Sequence, residues 1–174
     1  MSNIPAVTGT QLTNALRALG IKFILGGKLD GEALEREPVR LIAGLAGSDE
    51  ARLRLALIPL FLEHPEFAVH VRAVAASLDA SARLTLQCYY SAAVWLQQEF
   101  RGLLKTSRLG QADSLPDYFS RELGIRQAAD DDPEVRLRML AERQRILSGE
   151  RINWVGTYRH AAQLWLKGLD IQDA

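Results

Sequence analysis

The side chains with the greatest capacity for chemistry are three histidines and a single cysteine: His64, His70, His160 and Cys88. If His64 and His70 share a helix, they lie on opposite sides of it, because six residues turn an α-helix through about 600°. Cys88 has no second cysteine to pair with, and its apolar neighbours predict a small buried side chain. None of the ligand spacings typical of metal sites is present. The sequence therefore predicts neither a metal site nor a cofactor.

A second candidate lies near the C-terminus, where polar and aromatic side chains crowd the start of the last predicted helix. Asn153 and His160 are seven residues apart and can share one helix face. With the neighbouring arginines, this pair leaves open a helical enzyme or a protein that acts on nucleic acid. The simpler interpretation makes Asn153 a helix cap and His160 a surface residue.

The same segment is the best candidate surface for contact with a protein partner, because Trp, Tyr and Arg dominate the energetics of protein interfaces. The candidate partner-binding residues are Arg151, Trp154, Arg159 and His160. An alternative stays open, in which the aromatic residues of this segment only close the core. Those residues are Trp154, Tyr158 and Trp165.

The composition narrows the class of partner. The 174 residues carry 21 Lys and Arg against 21 Asp and Glu, and the sequence pI is about 6.8. Balanced charge argues against a nucleic acid or an anionic membrane as the main partner.

The longest apolar run, residues 55–62, contains a proline and is far shorter than the roughly 20 residues of a membrane-spanning helix. The first residues lack the basic start and apolar stretch of a signal peptide, so we expect a cytoplasmic protein.

One short sequence motif, which we call the helix-start phrase, stands at the beginning of three predicted helices. Its copies lie at residues 48–55, 79–86 and 132–139. Each copy places a capping, oxygen-bearing side chain before a small apolar residue, Arg and Leu. Such side chains accept hydrogen bonds from the free N–H groups of the first helical turn, and acidic ones oppose the helix dipole. The phrase, clearest at residues 132–136, resembles the start of a helix in HEAT-type repeats. The resemblance implies a HEAT-like helical hairpin and a scaffold that binds another protein on one helical face.

Helical periodicity extends over most of the chain, and no alternating run is long enough for a sheet. The helix over residues 80–105 carries two adjacent apolar strips, which predicts contact with several neighbours. An extended segment is expected at residues 21–25, before Gly26 and Gly27. The predicted helices cover residues 12–19, 30–34, 38–46, 49–63 with a kink or break at Pro59, 67–78, 80–105, 116–123, 133–147 and the chain from about 154.

These patterns predict an all-α fold: a compact multi-helix bundle around the long central helix of residues 80–105. We expect a single domain over residues 1–174, with a looser connecting segment at about 106–132. Copies of the helix-start phrase are offset by 31 and 53 positions. HEAT arrays repeat every roughly 40–47 residues, so a compact bundle is favoured over a regular solenoid.

The expected function is a non-enzymatic, cytoplasmic protein-interaction module. Size and composition fit an accessory or regulatory subunit in a bacterium. The alternative is a helical enzyme or nucleic-acid-acting protein that uses the Asn153–His160 face with its arginines. A protein partner is expected, nucleic acid and membrane are not, and a homo-oligomer stays open.

Overall fold

The computed structural model describes residues 6–21, 34–101, 113–126 and 132–172, and over these ranges the chain is helical without any strand. The all-α prediction is confirmed. The helices are α1 (Gly9–Ala18), α2 (Pro38–Ala46), α3 (Ala51–Leu55), α4 (Leu57–Glu63), α5 (Val71–Ser77), α6 (Ala80–Arg101), α7 (Pro133–Ser148) and α8 (Trp154–Gln172), with short 3-10 helices at Leu34–Arg36 and Pro65–His70.

Helix α6 is the centre of the bundle, as its two apolar strips predict. It packs against α2, α4, α5, α7 and α8, and every residue from 88 to 97 is buried. Helix α7 runs antiparallel to α6. Arg136 at the start of α7 covers the ring of Trp95 late in α6, whereas the end of α7 meets the start of α6. The predicted bundle around a long central helix is thus confirmed.

All three copies of the helix-start phrase do open helices, namely α3, α6 and α7. Asp79 Oδ1 accepts a hydrogen bond from the backbone N–H of Ala82 at 2.9 Å. Asp132 Oδ1 accepts one from the N–H of Glu134 at 3.0 Å. These bonds satisfy donors that have no partner within the helix itself.

The helix predicted over residues 49–63 is divided into two. Helix α3 ends at Leu55 and α4 begins at Leu57, so the break lies at Ala56, before Pro59. Pro59 has no N–H to donate to the carbonyl of Leu55. Its ring would also clash with that carbonyl oxygen if the backbone continued as a regular α-helix. The interruption therefore falls in the turn that precedes the proline.

The prediction of a short helix over residues 116–123 is wrong. This segment forms a single turn, closed by hydrogen bonds from Leu123 N–H to Phe119 O at 2.9 Å and from Ile125 N–H to Ser120 O at 2.8 Å. Gly124 ends the turn with φ of +75°, a left-handed conformation that suits glycine. An isolated helical turn is not stable by itself, because helix nucleation is costly. The turn at residues 119–124 is held in place by the packing of its aromatic side chains.

Several predictions concern residues outside the described ranges. They include most of the extended segment at 21–25, the two glycines that follow it, the helix at 30–34 up to its last residue, and the last turn of the long helix. In the loose segment of 106–132, the described part, residues 113–126, contains no regular helix. Among the described helices, none is both long and apolar enough to cross a membrane.

Cys88 of α6 belongs to the hydrophobic core and is fully buried. Burial raises the pKa of its thiol to about 12, so the folded protein carries essentially no thiolate at pH 8. Because the thiolate is the reactive form, we expect no reaction with a disulfide-type thiol reagent under native conditions and one equivalent of reaction after unfolding in guanidinium. Rapid labelling of the native protein would show that Cys88 is accessible.

Candidate functional site

The described helices enclose a polar cleft with a volume of about 630 Å³. Four parts of the chain form its walls: the α2–α3 connection, the first turns of α6, the end of α7 and the start of α8. Helix α7 ends at Ser148, and Gly149 adopts a φ of +74° that turns the chain towards α8. The cleft is therefore built where several helix ends meet.

Two aromatic side chains form the buried wall of the cleft. Tyr89 and Trp154 are 6% and 7% exposed, and their ring centroids lie 6.4 Å apart in an edge-on arrangement. Tyr158 packs against both rings, and its hydroxyl donates a hydrogen bond to Gln144 Oε1 of α7. This contact joins α8 to α7 and fixes the position of the wall.

The polar atoms of the two wall residues have no partners in the described part of the chain. Trp154 Nε1 is buried and finds no acceptor, and the Tyr89 hydroxyl makes no hydrogen bond to a described residue. Burial raises the pKa of Tyr89 to about 12, opposed by the nearby Arg54 and assisted by Glu150. Both of those charged residues line the cleft, as Tyr89 itself does, and the raised pKa keeps the Tyr89 hydroxyl protonated at neutral pH.

Charged residues line the remaining walls. The cleft is lined by three acidic residues, Asp49, Asp79 and Glu150, and by one arginine, Arg54. Arg54 Nη1 donates to the carbonyl of Ser48 at 2.7 Å, which holds the guanidinium against the α2–α3 connection. The cleft is thus acidic. Its lining contains no His, Cys or Lys.

Three exposed apolar residues lie near the cleft in sequence, at the end of α7 and in the connection to α8. These residues, Ile146, Leu147 and Ile152, are 51%, 46% and 45% exposed, and we call them the apolar rim. Leu147 also lines the cleft. The other exposed large hydrophobic residues in the described ranges stand singly, at Val39 of α2, Val69 of the Pro65–His70 helix and Val135 in the first turn of α7. The rim therefore concentrates exposed apolar area within seven residues of sequence.

The four predicted partner-binding residues have different surroundings in the structure. Trp154 is buried in the cleft wall, and Arg151 is exposed in the α7–α8 connection between Glu150 and Ile152. Arg159 does not line the cleft, and it forms a two-pronged ion pair with Glu99 of α6 at 2.8 and 3.0 Å. His160 is exposed on α8 and does not line the cleft either.

Asn153 has the capping role given to it by the simpler interpretation. Its Oδ1 accepts a hydrogen bond from the backbone N–H of Gly156 at 3.0 Å, in the first turn of α8. The aromatic residues of this helix are buried, and Trp165 Nε1 donates to Glu63 Oε2 of α4 at 2.8 Å. They close the core, while Trp154 also borders the cleft.

Sequence reasoning did not assign Tyr89, Arg54, Asp49 or Glu150 to a site. A partial signal was present, because the first two copies of the helix-start phrase contain Asp49 and Asp79. Polar helix starts indicate where helices begin but not which helix ends meet in space. That juxtaposition depends on tertiary packing.

Comparison with known protein families, with curated proteins and with solved structures gives no significant match for this chain. The described residues contain no group of three or more His, Cys, Asp or Glu side chains placed to hold a metal ion. Function is therefore argued from the cleft and its rim alone.

Proposed function

We propose that this protein is a non-enzymatic, cytoplasmic protein-interaction module, an accessory or regulatory subunit that contacts its partner through the cleft and the apolar rim. The observation that carries the proposal is that Ile146, Leu147 and Ile152, each about half exposed, fall within seven residues of sequence, and that Leu147 lines the acidic cleft. Groups of exposed apolar residues with polar surroundings are typical of protein contact surfaces.

The position of the rim on the fold strengthens this proposal. The rim spans the end of α7 and the connection to α8, and both helices are fixed to the core by Tyr158 and Gln144. A rigid surface loses little conformational freedom on binding, which favours affinity. Arg151 is exposed within the same connection and can contribute a charged contact at the edge of the rim.

Nothing in the described geometry favours the enzyme or nucleic-acid alternative. Asn153 caps α8 through its side-chain oxygen, and Arg159 is engaged by Glu99. Two of the residues that would act with His160 are thus bound to other groups of the protein. Binding by the rim and cleft requires no rearrangement of either contact.

The proposal is tested by placing a photo-crosslinking amino acid at Ile152 and, as a matched control, at Val69, which is 73% exposed on the Pro65–His70 helix. After irradiation in the native host, we expect a defined adduct with one other protein from position 152 and none from position 69. Mass spectrometry of the adduct identifies the partner.

A variant with Ile146→Ser and Leu147→Ser should lose this adduct while its thermal unfolding midpoint stays within a few degrees, because both side chains are already exposed. Failure of position 152 to crosslink would contradict the proposal. An adduct that contains only two copies of this chain would also contradict an accessory role, since the partner would then be a second copy.

A further inference from the structure

We infer that His64 forms a pH-sensitive contact at the end of α1. Its protonated imidazole joins the C-terminus of α1 to the Pro65–His70 helix, and loss of the proton weakens this connection, which we call the His64 bridge. The inference is independent of the proposed function, because His64 belongs neither to the cleft nor to the apolar rim. It rests on the partners of the two ring nitrogens.

Both ring nitrogens of His64 face groups that accept hydrogen bonds. Nε2 lies 2.8 Å from the backbone carbonyl oxygen of Leu19, and Nδ1 lies 3.0 Å from Glu66 Oε1. A neutral imidazole has one N–H donor and one lone pair, whereas an imidazolium has two donors. An exposed glutamate is ionised at neutral pH, so it accepts and does not donate. The charged ring can therefore make both hydrogen bonds at once, and the neutral ring cannot.

The carbonyl of Leu19 lies at the end of α1. Leu19 is the C-cap residue, and no backbone N–H in the described ranges donates to its oxygen. The last carbonyls of a helix lack partners within the helix and form the negative end of its dipole, so a cation there is stabilising. Protonated His64 supplies both a donor and a positive charge. Because it lies 45 positions further along the chain, it joins α1 to the junction of α4 and the Pro65–His70 helix.

Packing holds the ring in place while protons can still reach it. The His64 side chain is 22% exposed, and its ring stacks on that of Phe67 with the centroids 5.4 Å apart. The Glu66 side chain is 63% exposed, so it can turn to water when the ring is neutral. The neutral ring then keeps its proton on Nε2, towards the fixed Leu19 carbonyl. Charge-assisted hydrogen bonds are roughly twice as strong as neutral ones, so loss of the proton removes one contact and weakens the other.

Other charged residues belong to the elements around the bridge. The Pro65–His70 helix packs against α2, α4 and α5, and α1 contributes the Leu19 carbonyl. The charged or titratable residues of these elements, apart from His64 and Glu66, are Arg17 of α1, Arg40 of α2, Glu63 of α4, Arg72 of α5 and His70.

Three of these residues have other partners. Arg40 pairs with Glu37, the Glu63 carboxylate accepts from the Trp165 indole, and Arg72 lies over the ring of Tyr118.

The signs of the two nearest charges along the chain oppose each other. Arg17, in the last turn of α1, acts against a charged ring at His64. Glu63, the residue before His64, acts in its favour together with Glu66. The direct contact with Glu66 therefore decides the balance, and His70 needs a control of its own because it titrates in the same range of pH.

The inference is tested by measuring the thermal unfolding midpoints of His64→Gln and His160→Gln across pH. Glutamine keeps a side-chain N–H donor but cannot become charged, and His160 is an exposed histidine of α8. The folded state stabilises the protonated ring, so this contribution is present at low pH and is lost as the pH rises through the range in which histidine titrates. The midpoint of His64→Gln should lie about 2–4 °C further below that of the parent protein at about pH 5.5 than at about pH 8. For His160→Gln the difference from the parent should be the same at both pH values.

Two further variants separate the neighbours of His64. Glu66→Gln removes the carboxylate but changes an exposed side chain. It should show a pH-dependent difference from the parent of the same sign as His64→Gln and about half as large, because the bond to Leu19 remains. His70→Gln should show no pH-dependent difference, since His70 has no part in the bridge.

Hydrogen exchange locates the effect on α1. The N–H of Gly20 donates to Arg17 O at 3.0 Å and that of Ile21 to Leu16 O at 2.9 Å, so both report opening at the end of this helix. After correction for intrinsic exchange rates, their protection relative to the buried middle of α6 should be about three- to tenfold higher at about pH 5.5 than at about pH 8. In His64→Gln it should be equal at the two pH values.

Three results would overturn the inference. The first is protection of Gly20 and Ile21 that does not depend on pH in the parent protein. The second is an equal dependence in His64→Gln, and the third is a midpoint difference for His64→Gln that is constant across pH. If His64→Gln does not fold, Glu66→Gln decides by the same exchange measurement: it should reduce the pH-dependent protection, and full retention of that dependence would overturn the inference.

Discussion

Trp95→Ala is expected to lower the free energy of unfolding by about 3–5 kcal/mol, the usual cost of removing a large aromatic side chain from a core. Trp95 is 6% exposed and lies in the central segment of α6. Few neighbours can move into the space it leaves, because the helix is enclosed by five others. The cavity should therefore stay open.

Arg136 increases this cost. It is 3% exposed, its guanidinium carbon lies 5.2 Å from the centroid of the Trp95 ring, and its Nη1 donates to the Arg126 carbonyl at 3.2 Å. The face of the indole ring attracts the cation, and such contacts are worth about 2 kcal/mol when desolvated. Alanine at position 95 would leave a buried guanidinium beside an empty space.

The measurement is guanidinium-induced unfolding followed by far-ultraviolet circular dichroism, because the substitution also removes a fluorophore. Trp95→Phe is the matched control. It keeps an aromatic face towards Arg136 and should lose about half as much stability as the alanine variant. A loss below about 1 kcal/mol for Trp95→Ala would show that the ring is not an essential part of the core.

The helix starts were predictable because capping is local. Asp79 and Asp132 lie within three residues of the N–H groups they accept from, so the sequence alone contains the interaction. The apolar strips of α6 likewise indicated a central helix, since a helix with apolar residues on several sides needs several neighbours. Both predictions depend on spacing within one element.

The wrong prediction at residues 116–123 shows the limit of that approach. The apolar spacing of Tyr118, Phe119 and Leu123 is compatible with a helix, but the segment forms one turn that packs against Tyr90 of α6. Contacts with a residue 28 positions away decided the conformation, and no local pattern contains them.

The cleft was not predictable for the same reason. Tyr89 lies on α6, the helix predicted to be central, and it is buried. It lines the cleft together with Asp49 and Glu150, which are far from it in sequence and lie next to the ends of other helices. Trp154 was a candidate contact residue by type, and its ring is instead covered by Tyr89 and Tyr158. Residue types suggested a surface, but packing determined which atoms remain accessible.

Tyr90→Ala should be about as destabilising as Trp95→Ala, with a loss of about 3–5 kcal/mol. Tyr90 is fully buried, and three aromatic rings surround it. Phe61 of α4 contacts it edge-on at 5.0 Å, Tyr118 stacks at 5.6 Å and Phe119 contacts it edge-on at 5.8 Å. The ring therefore joins α6 both to α4 and to the turn at residues 118–124.

Tyr90→Phe measures how much the hydroxyl of Tyr90 contributes to stability apart from its ring. The Tyr90 hydroxyl donates to the Pro116 carbonyl at 2.7 Å, and phenylalanine removes this bond while it retains the aromatic contacts. Pro116 is exposed, so water can replace the lost donor. We therefore expect a loss of only about 1 kcal/mol. If Tyr90→Phe lowered the free energy of unfolding as much as Tyr90→Ala, the ring would not be the main source of the stability that Tyr90 provides.

The same pair of variants should differ in local opening, which native-state hydrogen exchange measures. Tyr90→Ala removes the ring that holds Tyr118 and Phe119, so the N–H groups of Leu123 and Ile125 should exchange faster by more than the global loss of stability explains. In Tyr90→Phe their protection should fall only slightly. Equal protection of these two N–H groups in Tyr90→Ala and the parent protein would show that the turn is held by other contacts, such as the bond from Leu115 N–H to Gln97 Oε1 at 2.8 Å.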